Sequence, residues 1–257
     1  MSELDETRAP LMEHLVELRR RLLWSLAALA AAFGICLYFA RPIFGFLAQP
    51  LLRSGDGLGL VYTNIFEAFV VDVKVAFFAA LMISFPVIAA QIWRFVAPGL
   101  YAKEKRAFLP FLMLTPVLFL TGAALAYYFA VPVALHWLLS YQGNVGGVTL
   151  TALPGIGNYL DFITRFIFGF GVAFLLPVLL MLLERAGLVT RAQLKSGRRY
   201  AIVGAFAVAA VLTPPDVVSQ LLLAIPLWGL YELSLIAIWF TERKRAKDSA
   251  AAEPPAA

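Results

Sequence analysis

Residues 185–247 read RAGLVTRAQLKSGRRYAIVGAFAVAAVLTPPDVVSQLLLAIPLWGLYELSLIAIWFTERKRAK, and the distribution of charge along them decides the fold. Five bases (Arg185, Arg191, Lys195, Arg198, Arg199) precede an apolar run over 200–212. Thr213-Pro214-Pro215-Asp216 then turns the chain with no base at all, and a second apolar run over 217–240 ends in Arg243, Lys244, Arg245 and Lys247. Two apolar segments joined by a base-free turn and flanked outside by bases describe a membrane hairpin whose basic ends stay in the cytoplasm.

The same alternation extends outward to the start of the chain. Further apolar runs fall at 22–40, 75–97, 109–139 and 166–183. The segments around them carry Arg8, Arg19, Arg20 and Arg21, then Arg41, Arg53 and Lys74, then Arg94, Lys103, Lys105 and Arg106, then Arg165 alone. Of the 21 bases, 17 lie in alternate segments that include both termini. The expected fold is therefore an all-α integral membrane protein with six transmembrane helices, N-in and C-in. Composition agrees, because 61% hydrophobic and 14% charged residues leave too little polar surface to cover a soluble domain of 257 residues. The net charge of +5 is a topology signal and not a nucleic-acid footprint, since the bases flank apolar runs instead of clustering with aromatics. The single cysteine, Cys36, lies within the first run and has no intrachain partner. That run is too long, and followed by too many others, for a cleaved signal peptide.

Three regions are expected. Residues 1–21 form a cytoplasmic N-terminal segment in which Leu11, Leu15, Leu18 and Leu22 mark an amphipathic helix at the membrane surface. Residues 22–240 form the membrane domain. Residues 241–257 form a basic tail with nothing apolar to bury, expected to be disordered. The 41–74 segment should pack its apolar half, around Phe66 and Phe69, on the membrane surface, and the Gly- and Thr-rich 140–158 segment should hold ordered turns or a short helix. The fifth run covers only about 20 Å of a hydrocarbon core about 30 Å thick. Prolines at 86, 110, 116, 132, 177 and 226 interrupt the other runs.

Catalytic constellations are scarce. The chain has two histidines, His14 and His136, and lacks metal-ligand spacings, nucleophile elbows and phosphate loops. It is expected not to be an enzyme and to use no cofactor or metal. Charged and polar groups at or inside the membrane are the informative residues. Glu17 sits at helical spacing from Arg20 and Arg21, Glu104 lies beside Lys103 and Lys105, and Gln220 and Glu232 fall within the last run.

The order of local motifs resembles the TatC family, the multispanning receptor of the twin-arginine, Sec-independent protein translocase. HLVELRRRL (14–22), Pro50-Leu51, Phe69 with Lys74, PVIAAQIWRFVAPGLYAKEKR (86–106), FGVAFLLPV (170–178), RRYAIVGAF (198–206) and LTPPDVVSQLLLAIPLWGLYE (212–232) follow the family collinearly over residues 10–240. The resemblance implies a cupped, glove-like arrangement with short fifth and sixth helices. It implies a receptor for folded precursors bearing twin-arginine signals, assembling with TatA- and TatB-type single-span proteins for export driven by the proton-motive force across the bacterial cytoplasmic (inner) membrane. Membrane lipids and further copies of the chain would be its other partners, and nucleic acid would not.

Carried over by motif, Glu17 and Glu104 hold the signal's arginines, with Leu18, Arg19, Phe95 and Tyr101 shaping the same surface. A guanidinium forks onto a carboxylate in a way an ammonium does not, so an arginine-selective site calls for acids at fixed positions. Pro50, Phe69 and Lys74 would belong to an extracytoplasmic cap. Thr213, Asp216 and Gln220 would fall where partners dock. One departure stands out: the family often places a glutamate two residues before the proline of the fourth span, where this chain reads Phe174-Leu175-Leu176-Pro177. The competing class, a secondary transporter of a small solute, should show an internal repeat and a midplane polar site. The two halves show no self-similarity.

Overall fold

The computed structural model describes residues 3–54, 59–62, 64–100, 105–213 and 215–252. Ten α-helices appear among them: α1 (Glu3–Tyr38), α2 (Ala40–Ser54), α3 (Glu67–Leu100), α4 (Lys105–Leu125), α5 (Val131–Leu139), α6 (Ile156–Ala173), α7 (Leu176–Arg185), α8 (Arg191–Ser196), α9 (Arg198–Leu212) and α10 (Val217–Ala252). Five stretches are long and apolar enough to cross a membrane: Leu15–Tyr38, Glu67–Phe95, Leu112–Leu139, Ile156–Arg185 and Val217–Arg243. Helix α9, with 15 residues, reaches about 22 Å and falls short of a ~30 Å core.

Several sequence expectations are corrected. The amphipathic segment is not a separate helix, because α1 runs unbroken from Glu3 to Tyr38; no proline or glycine stands between Leu11 and Phe33 to stop it. The fourth apolar stretch starts at Ile156, ten residues before the apolar core of its sequence suggests, because Tyr159 and Leu160 are already buried there. The sixth helix is not short: α10 spans 36 residues and carries the tail to Ala252. Residues 241–252, rich in Lys, Arg, Glu and Ala, are good helix formers and extend a helix already nucleated by the apolar run.

The chain divides into two compact units. Residues 1–116 with 152–161 form the first, and residues 117–151 with 162–257 the second. In the first, α1 and the start of α2 lie against α3 along a seam of small buried residues, Cys36, Ala40, Ala76 and Ala80, bordered by Leu29, Ala32, Phe33, Ile43 and Ala79. Small side chains let two helix backbones approach closely, which is how helices gain packing energy where lipid offers no hydrophobic drive.

In the second unit, the helix of the third apolar stretch widens into a π-turn over Ala126–Ala130, closed by the Val131 amide donating to the Ala126 carbonyl. Pro132 follows at once and cannot donate to the preceding turn, so the extra residue absorbs the missing hydrogen bond. The fourth stretch likewise breaks between α6 and α7. There the Leu175 amide bonds the Val172 carbonyl at 3.0 Å, and Pro177 occupies the first turn of α7, where no donor is needed. A two-stranded hairpin, β1 (Gly143–Val145) and β2 (Val148–Leu150), supplies the order expected of the 140–158 segment. Its two turn residues, Gly146 and Gly147, have φ of 60° and 88°, a conformation that favours glycine. At the far end of this unit, Leu180 of α7 packs with Tyr231, Leu235 and Ile238 of α10, against Leu194 of α8 and Ala201 of α9.

Two glycines contrast a helix contact with open space. A Cβ at Gly122 would lie 2.5 Å from the Phe170 carbonyl oxygen and 2.8 Å from the Phe174 ring, whereas one at Gly34 would meet nothing within 4 Å. Gly122→Leu should lower stability by about 1–3 kcal/mol, and Gly34→Leu should be neutral or slightly stabilising. Melting temperatures of the detergent-solubilised proteins check the contrast; equal melting temperatures would show that the α4–α6 contact at Gly122 yields freely.

Candidate functional site

Glu17 lies on the face of α1 turned toward α3. The Arg21 guanidinium, one turn further along, donates through Nη2 to Glu17 Oε1 at 2.9 Å and through Nη1 to Gln91 Oε1 on α3 at 3.3 Å. Both charged side chains are about one-third exposed or less, at 33% for Glu17 and 29% for Arg21. They open onto a cavity of about 750 Å³ whose wall also includes Met12, Val16, Arg20, Trp24 and Arg94. One carboxylate among three guanidiniums, backed by an indole and aliphatic side chains, makes a polar edge on an apolar floor. That lining offers both charged and apolar surface to a ligand. Leu18 and Arg19 are exposed on other faces of α1, and Phe95 is half-buried near the end of α3. Glu104 and Tyr101 lie outside the described residues, so the two carboxylates expected to act together are placed here by one member.

The first loop is tied down at several points. The Val61 amide donates to the Pro154 carbonyl at 3.1 Å and the Ile156 amide to the Val61 carbonyl at 2.9 Å, forming a parallel bridge to Gly155. Glu67 Oε1 accepts from the Gly157 amide at 3.1 Å, where the first turn of α6 has free donors and a partial positive charge. Lys74 Nζ pairs with Asp161 at 2.8 Å, and the Tyr159 hydroxyl donates to the Leu47 carbonyl at 2.7 Å. Pro50 is buried within α2, and Phe69 is exposed on α3. Of the three residues expected in this region, Lys74 makes a defined long-range contact, and Pro50 packs. Sequence reasoning missed Glu67, Tyr159 and Asp161. The signal that could have found them is a set of polar residues at the start of an apolar stretch, each needing a partner.

The turn between α9 and α10 is knit by the residues expected there. Thr213 is buried and donates its hydroxyl to the Ala209 carbonyl at 2.9 Å. Asp216 Oδ1 accepts from the Ser219 amide at 2.8 Å, capping α10, and Gln220 donates to the Phe206 carbonyl at 3.3 Å. All three bonds stay inside the hairpin. At its other end, Arg198 of α9 pairs with Glu232 of α10 at 2.7 Å, which gives the acid in the last apolar stretch its partner.

The family model of the Sec-independent protein translocase protein TatC matches residues 13–226. The chain belongs to the TatC family. It is 47% identical to the TatC protein of Magnetococcus marinus over 249 residues, covering 96% of this chain and 90% of that one. To the TatC protein of Aquifex aeolicus it is 40% identical over 238 residues, covering 92% and 97%. A crystal structure described as the twin-arginine translocase receptor TatC matches with a TM-score of 0.77 at 40% identity, covering 87% of this chain and 96% of that one. The HLVELRRRL and PVIAAQIW segments, 70 residues apart at Arg21 and Gln91, meet in one polar cluster. Gln91, Trp24 and Arg94 were not among the site residues expected from sequence, although Gln91 and Arg94 stand inside the motif over 86–106. Leu175 lies at the α6–α7 break, capping α7 without a side-chain hydrogen bond, so this TatC-family chain carries no charge there.

The Lys74–Asp161 pair yields a direct test. Lys74→Asp and Asp161→Lys should each reduce stability, and the double exchange should recover part of it, with a coupling of about 0.2–1 kcal/mol. Thermal unfolding of the four proteins in detergent measures that coupling, and a strictly additive double variant would show that the pair contributes nothing.

Proposed function

We propose that this chain is the receptor of a twin-arginine protein translocase, binding the signals of folded precursors at the α1–α3 surface around Glu17. The observation that carries the reading is the placement of the Glu17 carboxylate at the edge of a cavity with an apolar floor, in a chain of the TatC family. A twin-arginine signal is an amphiphile of matching kind: two guanidiniums followed by an apolar segment. Glu104, from the LYAKEK segment, is assigned the second carboxylate on motif grounds, with Leu18, Arg19, Phe95 and Tyr101 around the pair. Arginine recognition follows from geometry, since a carboxylate accepts two parallel bonds from a guanidinium and one from an ammonium.

In this proposal the chain crosses the bacterial cytoplasmic membrane six times with both termini in the cytoplasm. The bias of 17 of 21 bases to alternate segments supports that orientation. Helix α9 is the short crossing, completed by its hairpin with α10. The linked first and third loops form the extracytoplasmic cap, with Pro50, Phe69 and Lys74 within it. Single-span partners of the TatA and TatB type dock at the α9–α10 hairpin. Because Thr213, Asp216 and Gln220 bond within that hairpin, their contribution to docking is to hold its shape. Export is driven by the proton-motive force, with no catalytic step in the receptor.

Glu17→Lys and Glu104→Lys should each weaken crosslinking of a twin-arginine precursor by tenfold or more, because a charge-assisted hydrogen bond is worth about 1.5–3 kcal/mol and reversal adds repulsion. Site-specific photocrosslinking in inverted membrane vesicles measures this. Undiminished crosslinking in both variants would remove the assignment.

A further inference from the structure

The carboxylate proposed to receive the signal is already occupied by an arginine of the chain itself. Arg21 gives one Nη to Glu17 at 2.9 Å and the other to Gln91 at 3.3 Å, so one guanidinium bridges α1 and α3 across the mouth of the cavity. Its Nε is buried with no acceptor among the described residues. The bridge is thus a weak one: a single bond to the carboxylate, a long bond to an amide and an unsatisfied third donor. We infer that Arg21 is an internal competitor for Glu17, held in place by Gln91, which an incoming signal arginine must displace. The inference rests on the receptor reading and adds a residue that sets how tightly a signal must bind before it engages.

The physical consequence is specific. If only the fraction of receptors with Arg21 swung away accepts a signal, the apparent dissociation constant is the intrinsic one divided by that fraction. The same fraction applies to every signal. Arg21 therefore lowers affinity for twin-arginine and lysine-substituted signals alike and leaves their ratio untouched. The ratio is set by the fork geometry of Glu17. A signal that makes two bonds to the carboxylate replaces the single Arg21 bond with a surplus, whereas an ammonium replaces one bond by one. Internal competition thereby raises the concentration at which every signal engages and keeps the order of preference among signals.

The test uses the full chain in lipid nanodiscs and two fluorescent signal peptides, one with two arginines and one with two lysines at the same positions. Arg21→Gln should tighten binding of both by about fivefold, which is about 1 kcal/mol at 1.4 kcal/mol per tenfold, with the arginine-to-lysine ratio unchanged. Gln91→Leu alters no charge and should tighten both by about twofold, because it frees Arg21 from its second acceptor. If Arg21→Gln tightens binding and Gln91→Leu does not, removal of a positive charge explains the gain and the competitor is overturned. If Arg21→Gln weakens or does not change binding while Glu17→Gln weakens it, Arg21 is a positioning or contact residue, and only this inference fails. If Glu17→Gln leaves the twin-arginine peptide unaffected, the receptor site itself is misplaced. Thermal unfolding of each variant, with Arg21→Lys as the conservative partner, confirms that folded proteins are compared; Arg21→Lys, which keeps the charge but loses the bond to Gln91, should tighten both peptides by less than Arg21→Gln.

Discussion

The close approach of α1 and α3 sets the geometry on which the proposed site depends. The seam of Cys36 on α1 with Ala76 and Ala80 on α3, continued by Ala40 at the start of α2, removes side-chain bulk from both sides. Their backbones can then run together, and the polar residues at one end of the pair come within hydrogen-bonding reach. Arg21 on one helix and Gln91 on the other join there only because the spacing further along is small. Just past the end of α1, the Arg41 side chain of α2 comes within 3.9 Å of Asp72 of α3. Bulk introduced into the seam would therefore act on the proposed site at a distance, without touching a residue that lines it.

Prolines organise the remaining helices by a different constraint. In a chain this apolar, a backbone carbonyl that loses its donor cannot be left to water. The π-turn before Pro132 and the break before Pro177 resolve that conflict in two ways, by adding a residue to the turn and by ending one helix to start another. At the end of α9, Thr213 gives both its amide and its hydroxyl to the Ala209 carbonyl, just before Pro214 and Pro215 in the sequence. The π-turn and the α6–α7 break each carry defined backbone bonds, and at the second of them Leu175 takes part through its backbone alone.

The helical class, the apolar stretches and the brevity of α9 were legible because hydropathy and charge report them directly. Glu17 with its Arg21 alternative was legible because i,i+4 spacing on a helix is a local property. What stayed hidden was non-local. Nothing in the sequence around Val61 says that it bridges to Gly155, and nothing near Glu67 says that it caps α6 at Gly157. The helical tail to Ala252 and the early start at Ile156 were hidden for a related reason: polar composition does not distinguish a solvated helix from a disordered chain, nor a buried polar turn from a loop. The α9–α10 contact between Arg198 and Glu232 was half visible, as an acid in an apolar run that had to find a base.

The contacts that fasten the first loop join residues 87 to 112 positions apart in the chain. A ribosome adding about 5–20 residues per second takes roughly 5 to 20 s to bring Tyr159 and Asp161 out after Leu47 and Lys74 have emerged. Throughout that interval the Lys74 ammonium, the Glu67 carboxylate and the Val61 backbone have no partners from the α6 segment, because those partners have not been made. Maturation of the first loop is consequently the last act of inserting the fourth apolar stretch. Its completion requires that the α6 segment has been made and has reached the first loop.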